Sequence, residues 1–193
     1  MMKRIIEEKE CKLIEQRSKF ISYVFSCDDL VSQSIILKRI KRLHPSATHI
    51  CYASVIDEQK TFNDDREPSG TAGTQMALVL NKENMVNTLC VVVRYFGGVK
   101  LGVPGLSKAY KEASELCLEN NTKEVVLKDE YLCECSYSLF DVVKSTCGKL
   151  NIPVYDEIFG ANVSFKICLS HSEFLIVSKL DFEMTITGKK VYV

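Results

Sequence analysis

The chain has no excess charge of either sign: Lys and Arg total 25, and Asp and Glu total 25. A whole-chain basic field is therefore absent, and any nucleic-acid contact must come from a local patch. No apolar run approaches the roughly 20 residues needed to cross a bilayer, so no membrane-spanning segment is expected. The opening Met1-Met2-Lys3-Arg4-Ile5-Ile6 has a basic start but no apolar core of signal-peptide length. Without that route to an oxidising compartment, the nine cysteines are expected to be reduced, cytoplasmic and mostly small core residues. A second close pair of metal ligands is also missing. Cys133-x-Cys135 stands alone where a structural zinc site shows two pairs, so no metal or other cofactor is expected. Repeats of solenoid period and low-complexity tracts do not occur.

What is present reads as an α+β protein of two domains, 1–125 and 126–193. Phe20–Ser26 is rich in β-branched and aromatic residues and reads as a strand. Asp28 or Asp29 caps a helix running to about Leu43, and Pro45 stops it. Lys38, Arg39, Lys41 and Arg42 crowd its last turns, either complementing the helix C-terminus or contributing to a nucleic-acid footprint. His49–Ile56 reads as a strand, residues 58–74 as a polar loop, and Gln75–Asn81 as a short helix. Leu89–Val93 has no polar alternation, which predicts burial on both faces at the centre of its sheet. A glycine-rich stretch then enters a helix whose stripe Leu106, Tyr110, Ala113 and Cys117 faces the core. The remainder alternates as strand (Tyr131–Ser138), helix (Leu139–Leu150), strand (Ile152–Ile158) and strand (Asn162–Leu169). A helix opened by the capping-box spacing of Ser170 and Glu173 follows, then a strand (Met184–Val191). That order is the β-α-β-β-α-β of a ferredoxin-like unit.

Three stretches carry candidate chemistry. In the loop Asn63–Thr74, Asp64, Asp65 and Glu67 supply three carboxylates within four positions, able to hold a hard cation or act as a base. Ser69 and Thr71 add hydroxyls at a helix entry; the alternative is a rigid turn whose acids cap neighbouring backbone. The second stretch is Arg94-Tyr95-Phe96-Gly97-Gly98-Val99-Lys100-Leu101-Gly102, continued by Gly105 and Lys108. Cations around glycines at a helix start form an anion or RNA cradle, unless the glycines merely let strand and helix pack closely. It is not a P-loop, because Val103-Pro104 stand where Lys and Ser/Thr are needed, and no dinucleotide fingerprint occurs. The third stretch, His44-Pro45-Ser46-Ala47-Thr48-His49, lacks a nucleophile elbow. His49 either meets the acidic loop or is a hydrogen-bonded strand residue.

Taken in order, His49-Ile50-Cys51-Tyr52-Ala53, Asp64–Gly73, Arg94–Gly102 and Gly105-Leu106-Ser107-Lys108-Ala109-Tyr110 resemble the IMPACT family in its bacterial YigZ-like branch. Ser18-Lys19-Phe20-Ile21 is similar to that family's opening strand. The resemblance implies a first domain folded like the second domain of a small-subunit ribosomal protein and elongation factor G domain IV. It implies a second, ferredoxin-like domain similar to that factor's domain V. It further implies a link to translation: binding of RNA or the ribosome, or of a translation-regulatory protein, with no established enzymatic activity. An enzyme acting on a phosphorylated or nucleotide substrate, with a carboxylate-bound divalent cation, is the alternative. Two positions depart from the family pattern: Arg66 and Pro104 stand where glycines are usual.

Overall fold

A computed structural model describes residues 1–193. The chain divides into two compact units, Met1–Glu124 and Val125–Val193.

In the first unit, β1 (Met2–Ile5) is followed by β2 (Lys9–Glu15), β3 (Ser18–Ser26), α1 (Leu30–Leu43), β4 (His49–Ile56) and β5 (Gln59–Asn63). Then come α2 (Gly73–Lys82), β6 (Thr88–Tyr95), α3 (Gly102–Leu118) and β7 (Thr122–Val125), which pairs with β1. The main sheet runs β2-β3-β6-β4-β5, with antiparallel pairing throughout. The apolar strand β6 is central because both its faces are covered. Cys90 and Val92 pack under α2 and α3 with Phe20, Met76, Tyr110 and Ala113, whereas Leu89, Val91 and Val93 pack with Ile21, Phe25 and Ile40 of α1 on the other side. Asp29 is the α1 cap, its carboxylate accepting from the Ser32 N–H at 2.7 Å.

The stretch 58–74 is not wholly loop, since it contains β5. This strand is short and mostly polar, and its pairing with β4 rather than its own pattern makes it a strand. Strands β1, β2 and β7 lie likewise outside the sequence expectation.

The second unit contains β8 (Leu127–Cys135), α4 (Tyr137–Lys149), β9 (Val154–Phe159), β10 (Val163–Leu169), α5 (His171–Val177) and β11 (Glu183–Tyr192). Its antiparallel sheet runs β11-β8-β10-β9. Phe140, Val143, Cys147, Phe165, Ile167 and Val177 form its core. Both halves of the capping box at Ser170 and Glu173 are made. The expected strand at 131–138 begins earlier and ends at Cys135, because Ser136 is the N-cap of α4. No helix is long and apolar enough to cross a membrane.

Candidate anion-binding end of the first unit

Four connections meet at one end of the five-stranded sheet: the β2–β3 turn at 16–17, the α1–β4 loop at 44–48, the β5–α2 loop at 64–72 and the β6–α3 loop at 96–101. Hydrogen bonds stitch them together. Thr48 N–H donates to the Arg94 carbonyl at 2.8 Å, and Phe96 N–H donates to Thr48 Oγ1 at 2.9 Å. A Cβ on Gly97 would lie 2.0 Å from the Arg17 carbonyl oxygen, so only glycine lets the β6–α3 loop cross the hairpin this closely. Gly98 follows at φ +84°, turning the chain away through the left-handed region.

The acidic loop faces inward. Asp64 accepts from the Gly70 and Ala72 N–H groups at 3.0 and 3.1 Å, and Asp65 accepts from the Ile50 N–H at 2.7 Å. Glu67 is buried, with Oε1 receiving Arg94 Nη1 at 2.6 Å and the Tyr110 hydroxyl at 2.9 Å. The loop is thus the rigid, backbone-capping turn. Its three carboxylates do not converge on a cation-sized space, and no group of three His, Cys, Asp or Glu side chains forms a metal-ligand set. Thr71 is buried, donating to the Pro68 carbonyl at 2.6 Å, and Ser69 is exposed. His49 does meet this loop: its Nδ1 lies 2.8 Å from the Asp65 carbonyl oxygen, fixing the ring, and its Nε2 is 3.7 Å from Glu67 Oε1.

Arg94 requires a correction. The guanidinium expected to face an anion is buried instead, paired with Glu67 and lying between the rings of Phe20 and Phe96 at 5.5 and 5.6 Å. The cause is strand parity: Arg94 continues the series Cys90 and Val92, whose side chains point under α2 and α3. Leaving a charge there unpaired would cost several kcal/mol, on the order of 3–5, so the glutamate comes with it. Burial pushes the Tyr110 hydroxyl well above its ordinary pKa, with Cys51 and Glu67 adding to the shift, so it remains a donor to the carboxylate. Burial likewise pushes the neighbouring Cys51 thiol up to about 12.

The other expected cradle residues divide. Tyr95 is half-buried, with its hydroxyl 2.8 Å from His44 Nδ1, and the Tyr23 hydroxyl lies 2.8 Å from Nε2 of the same ring. Burial lowers the His44 pKa. Lys100 is exposed and makes no ion pair, and Gly102 and Gly105 fall in the first turn of α3. Pro104 lies in that turn too, where a backbone N–H has no helical partner, so the proline is accommodated. Lys108 lies further along the helix, 3.7 Å from Glu112, on its exposed flank rather than at the turn. Arg66 has φ +68°, which accounts for the family's glycine at this position; its side chain is 84% exposed, with Nε 3.8 Å from Asp65.

Sequence reasoning missed Arg17 and Lys19. Both are exposed, unpaired and carried by the β2–β3 hairpin at the same end. The turn Gln16-Arg17 has positive φ at both residues, yet it lacks the Asn-Gly or Asp-Gly pair that would have announced a tight hairpin in the sequence.

The sequence profile of the Impact N-terminal domain matches residues 16–118, the region holding all four connections. The chain belongs to the IMPACT family. It is 31% identical over 172 residues to an IMPACT family member of Haemophilus influenzae, covering 86% of this chain and 82% of that protein. The family member YigZ of Escherichia coli is 29% identical over 160 residues, covering 80% and 78% of the two chains. YvyE of Bacillus subtilis is 42% identical over 113 residues, 56% of this chain and 52% of its own. A crystal structure described as a hypothetical protein superposes with TM-score 0.69 at 24% identity, covering 97% of this chain and 98% of that one, and shows the shared fold. Within the stretches through which the sequence resembles the family, Ser18, Glu67, Arg94 and Tyr110 are all buried in one hydrogen-bonded cluster, whereas Arg66, Ser69, Phe96, Gly98, Val99 and Lys100 are exposed.

Proposed function

We propose that this protein is a translation-associated RNA- or ribosome-binding module, and that the loop end of the first unit is its phosphate-binding surface. One observation carries this reading. Arg17, Lys19 and Lys100 are exposed and make no ion pair at this end of the sheet, while Glu67 is buried against Arg94 and the half-buried Asp64 and Asp65 accept from backbone N–H groups. Acids pointed at the backbone and cations pointed at water leave a positive local field on a chain of zero net charge. Lys41 and Arg42, in the last turn of α1 that His44 ties to Tyr95, extend that field. Phe96, 46% exposed with Arg94 under one face, offers its other face for stacking against a base. Nothing comparable favours an enzyme, because the loop that would have to supply a base or metal ligands already serves the backbone.

The second unit's strand order fits a ferredoxin-like domain starting near residue 126. Both that assignment and the likeness of the first unit to elongation factor G domain IV belong to this proposal. So does a cytoplasmic location, which reduced thiols and an RNA partner would share. The test is co-sedimentation with ribosomes and with a structured RNA at low and high salt, using wild type and Arg17→Glu/Lys100→Glu. Binding that falls with salt in the wild type and is lost in the variant is expected. Equal, salt-insensitive sedimentation of both would end the reading. Wild-type binding to a translation-regulatory protein that survives nuclease would move the partner from RNA to protein.

A further inference from the structure

Among the nine free cysteines, Cys11 alone is not fully buried. It lies on the edge strand β2 and lines a groove of about 380 Å³ with Lys9, Leu116, Glu119 and Asn121. A half-exposed thiol by itself implies nothing; its neighbour matters. The β2–β3 register places Cys11 directly opposite Ser22. Over Ser22 sits Cys117 of α3, its Sγ 3.2 Å from both the Ser22 carbonyl oxygen and Oγ. The two side chains also interleave. Cys11 Sγ reaches the Leu116 carbonyl on the helix at 3.6 Å, and Cys117 Sγ reaches the Lys9 carbonyl on the strand at 3.6 Å. Directly opposed strand residues have Cβ atoms only about 5 Å apart, so a thiol seated over one of them is within side-chain reach of the other. Burial raises the Cys117 pKa, and contact with the Cys11 thiol adds to the rise. Lys9 Nζ shares the Leu116 carbonyl oxygen with Cys11 Sγ, at 3.4 Å, and also donates to the Glu119 carbonyl at 2.9 Å.

We propose that Cys11 and Cys117 form a peroxide-responsive dithiol that closes to a disulfide and ties the edge strand to the last turn of α3. In the first step the Cys11 thiolate attacks a peroxide oxygen. The S–O bond forms, the O–O bond breaks, and hydroxide leaves to become water, giving a sulfenic acid. In the second, Cys117 attacks that sulfur as its proton passes to the departing hydroxyl. The S–S bond forms, the S–O bond breaks and a second water leaves. Two thiols lose two electrons and one hydrogen peroxide is reduced to two waters. The groove that Cys11 lines admits the small oxidant to its sulfur. The remaining buried cysteines, including the Cys133, Cys135 and Cys147 group of the second unit, have no exposed member to begin the sequence. This pairing does not rest on the RNA reading, although the strand it ties down carries the Arg17 hairpin.

The experiment treats the reduced full-length protein with hydrogen peroxide, blocks remaining thiols with an alkylating agent under denaturing conditions, and maps the peptides by mass spectrometry. The expected result is a Cys11–Cys117 linked peptide, a protein lighter by two hydrogens, seven of the nine thiols still alkylated, and full reversal by dithiothreitol. Cys11→Ser, at a half-exposed position that keeps the fold, should yield no linked peptide. Wild-type Cys11 advancing to sulfinic acid while Cys117 remains alkylatable would overturn the proposal. So would a different linked pair, or no loss of Cys11 at peroxide concentrations that oxidise free cysteine.

Discussion

Replacing Arg94 with methionine separates a buried structural charge from a ligand-facing one. Methionine keeps an aliphatic stem between Phe20 and Phe96 but removes the cation at 2.6 Å from Glu67. The glutamate side chain, 2% exposed, would keep only the Tyr110 hydroxyl and the more distant His49 as partners. Stranding a buried carboxylate costs about 3–5 kcal/mol, a large fraction of the roughly 5–15 kcal/mol that holds a native domain together. At about 3–5 °C per kcal/mol for a unit of this size, the first unit should melt roughly 10–25 °C lower. Hydrogen exchange is the fitting assay because it resolves the two units: amides of β6 should lose protection while those of β10 do not. Adding Glu67→Leu to Arg94→Met should restore much of the loss, since both charges are then gone and apolar volume remains. If Arg94→Met left β6 protection unchanged yet abolished RNA binding, the guanidinium would be facing a ligand, and the inward geometry described here would be wrong.

Other outcomes follow from single contacts. Arg66→Gly relieves a left-handed arginine at φ +68° and, after the glycine's extra unfolded-state freedom, should stabilise the first unit by about 0.5–1 kcal/mol in urea denaturation. Gly97→Ala places a methyl 2.0 Å from the Arg17 carbonyl oxygen and must displace the hairpin, so a loss of about 3 kcal/mol or more is expected by the same measurement. In the second unit burial would raise the Glu130 pKa, but hydrogen bonds from Tyr155 and Thr187 and the charges of Lys189 and Lys166 outweigh it and lower the pKa below the ordinary value. A carboxyl held low in the folded state stabilises above its unfolded pKa. That stability should fade as pH falls below about 4.5, towards the folded pKa. Glu130→Gln should be less stable than wild type at pH 7 and show a shallower acid slope in circular dichroism.

Much of the fold was legible because its signals are local. An unbroken apolar run marks β6, a core-facing stripe marks α3, and a capping box marks α5, and each holds whatever surrounds it. Strands β5, β1 and β7 were not legible, because short polar segments become strands only through the partner they pair with. At the site the same division appears. Glycines at 97 and 98 announced a tight crossing, and the choice between a turn and a cation site in Asp64–Glu67 awaited the backbone N–H groups of Ile50, Gly70 and Ala72. Arg94 was misassigned because an arginine at a strand end reads as available. Only its parity with Cys90 and Val92 shows that it points into the interior, where a distant glutamate neutralises it. Lys19 reads from the sequence as part of a strand; its place at the loop end comes from β3 pairing with β6, Lys19 opposite Tyr95.

The most direct test of the phosphate-binding surface is the salt dependence of affinity for a fluorescent structured RNA, comparing wild type with Arg17→Ala/Lys19→Ala/Lys100→Ala. Each phosphate contact contributes about 0.7–0.9 to the slope of log K against log salt. The triple variant should therefore bind more weakly with a slope shallower by about 2–3, while a Lys179→Ala control in the second unit matches wild type. Parallel slopes and equal affinities for wild type and the triple variant would contradict the account.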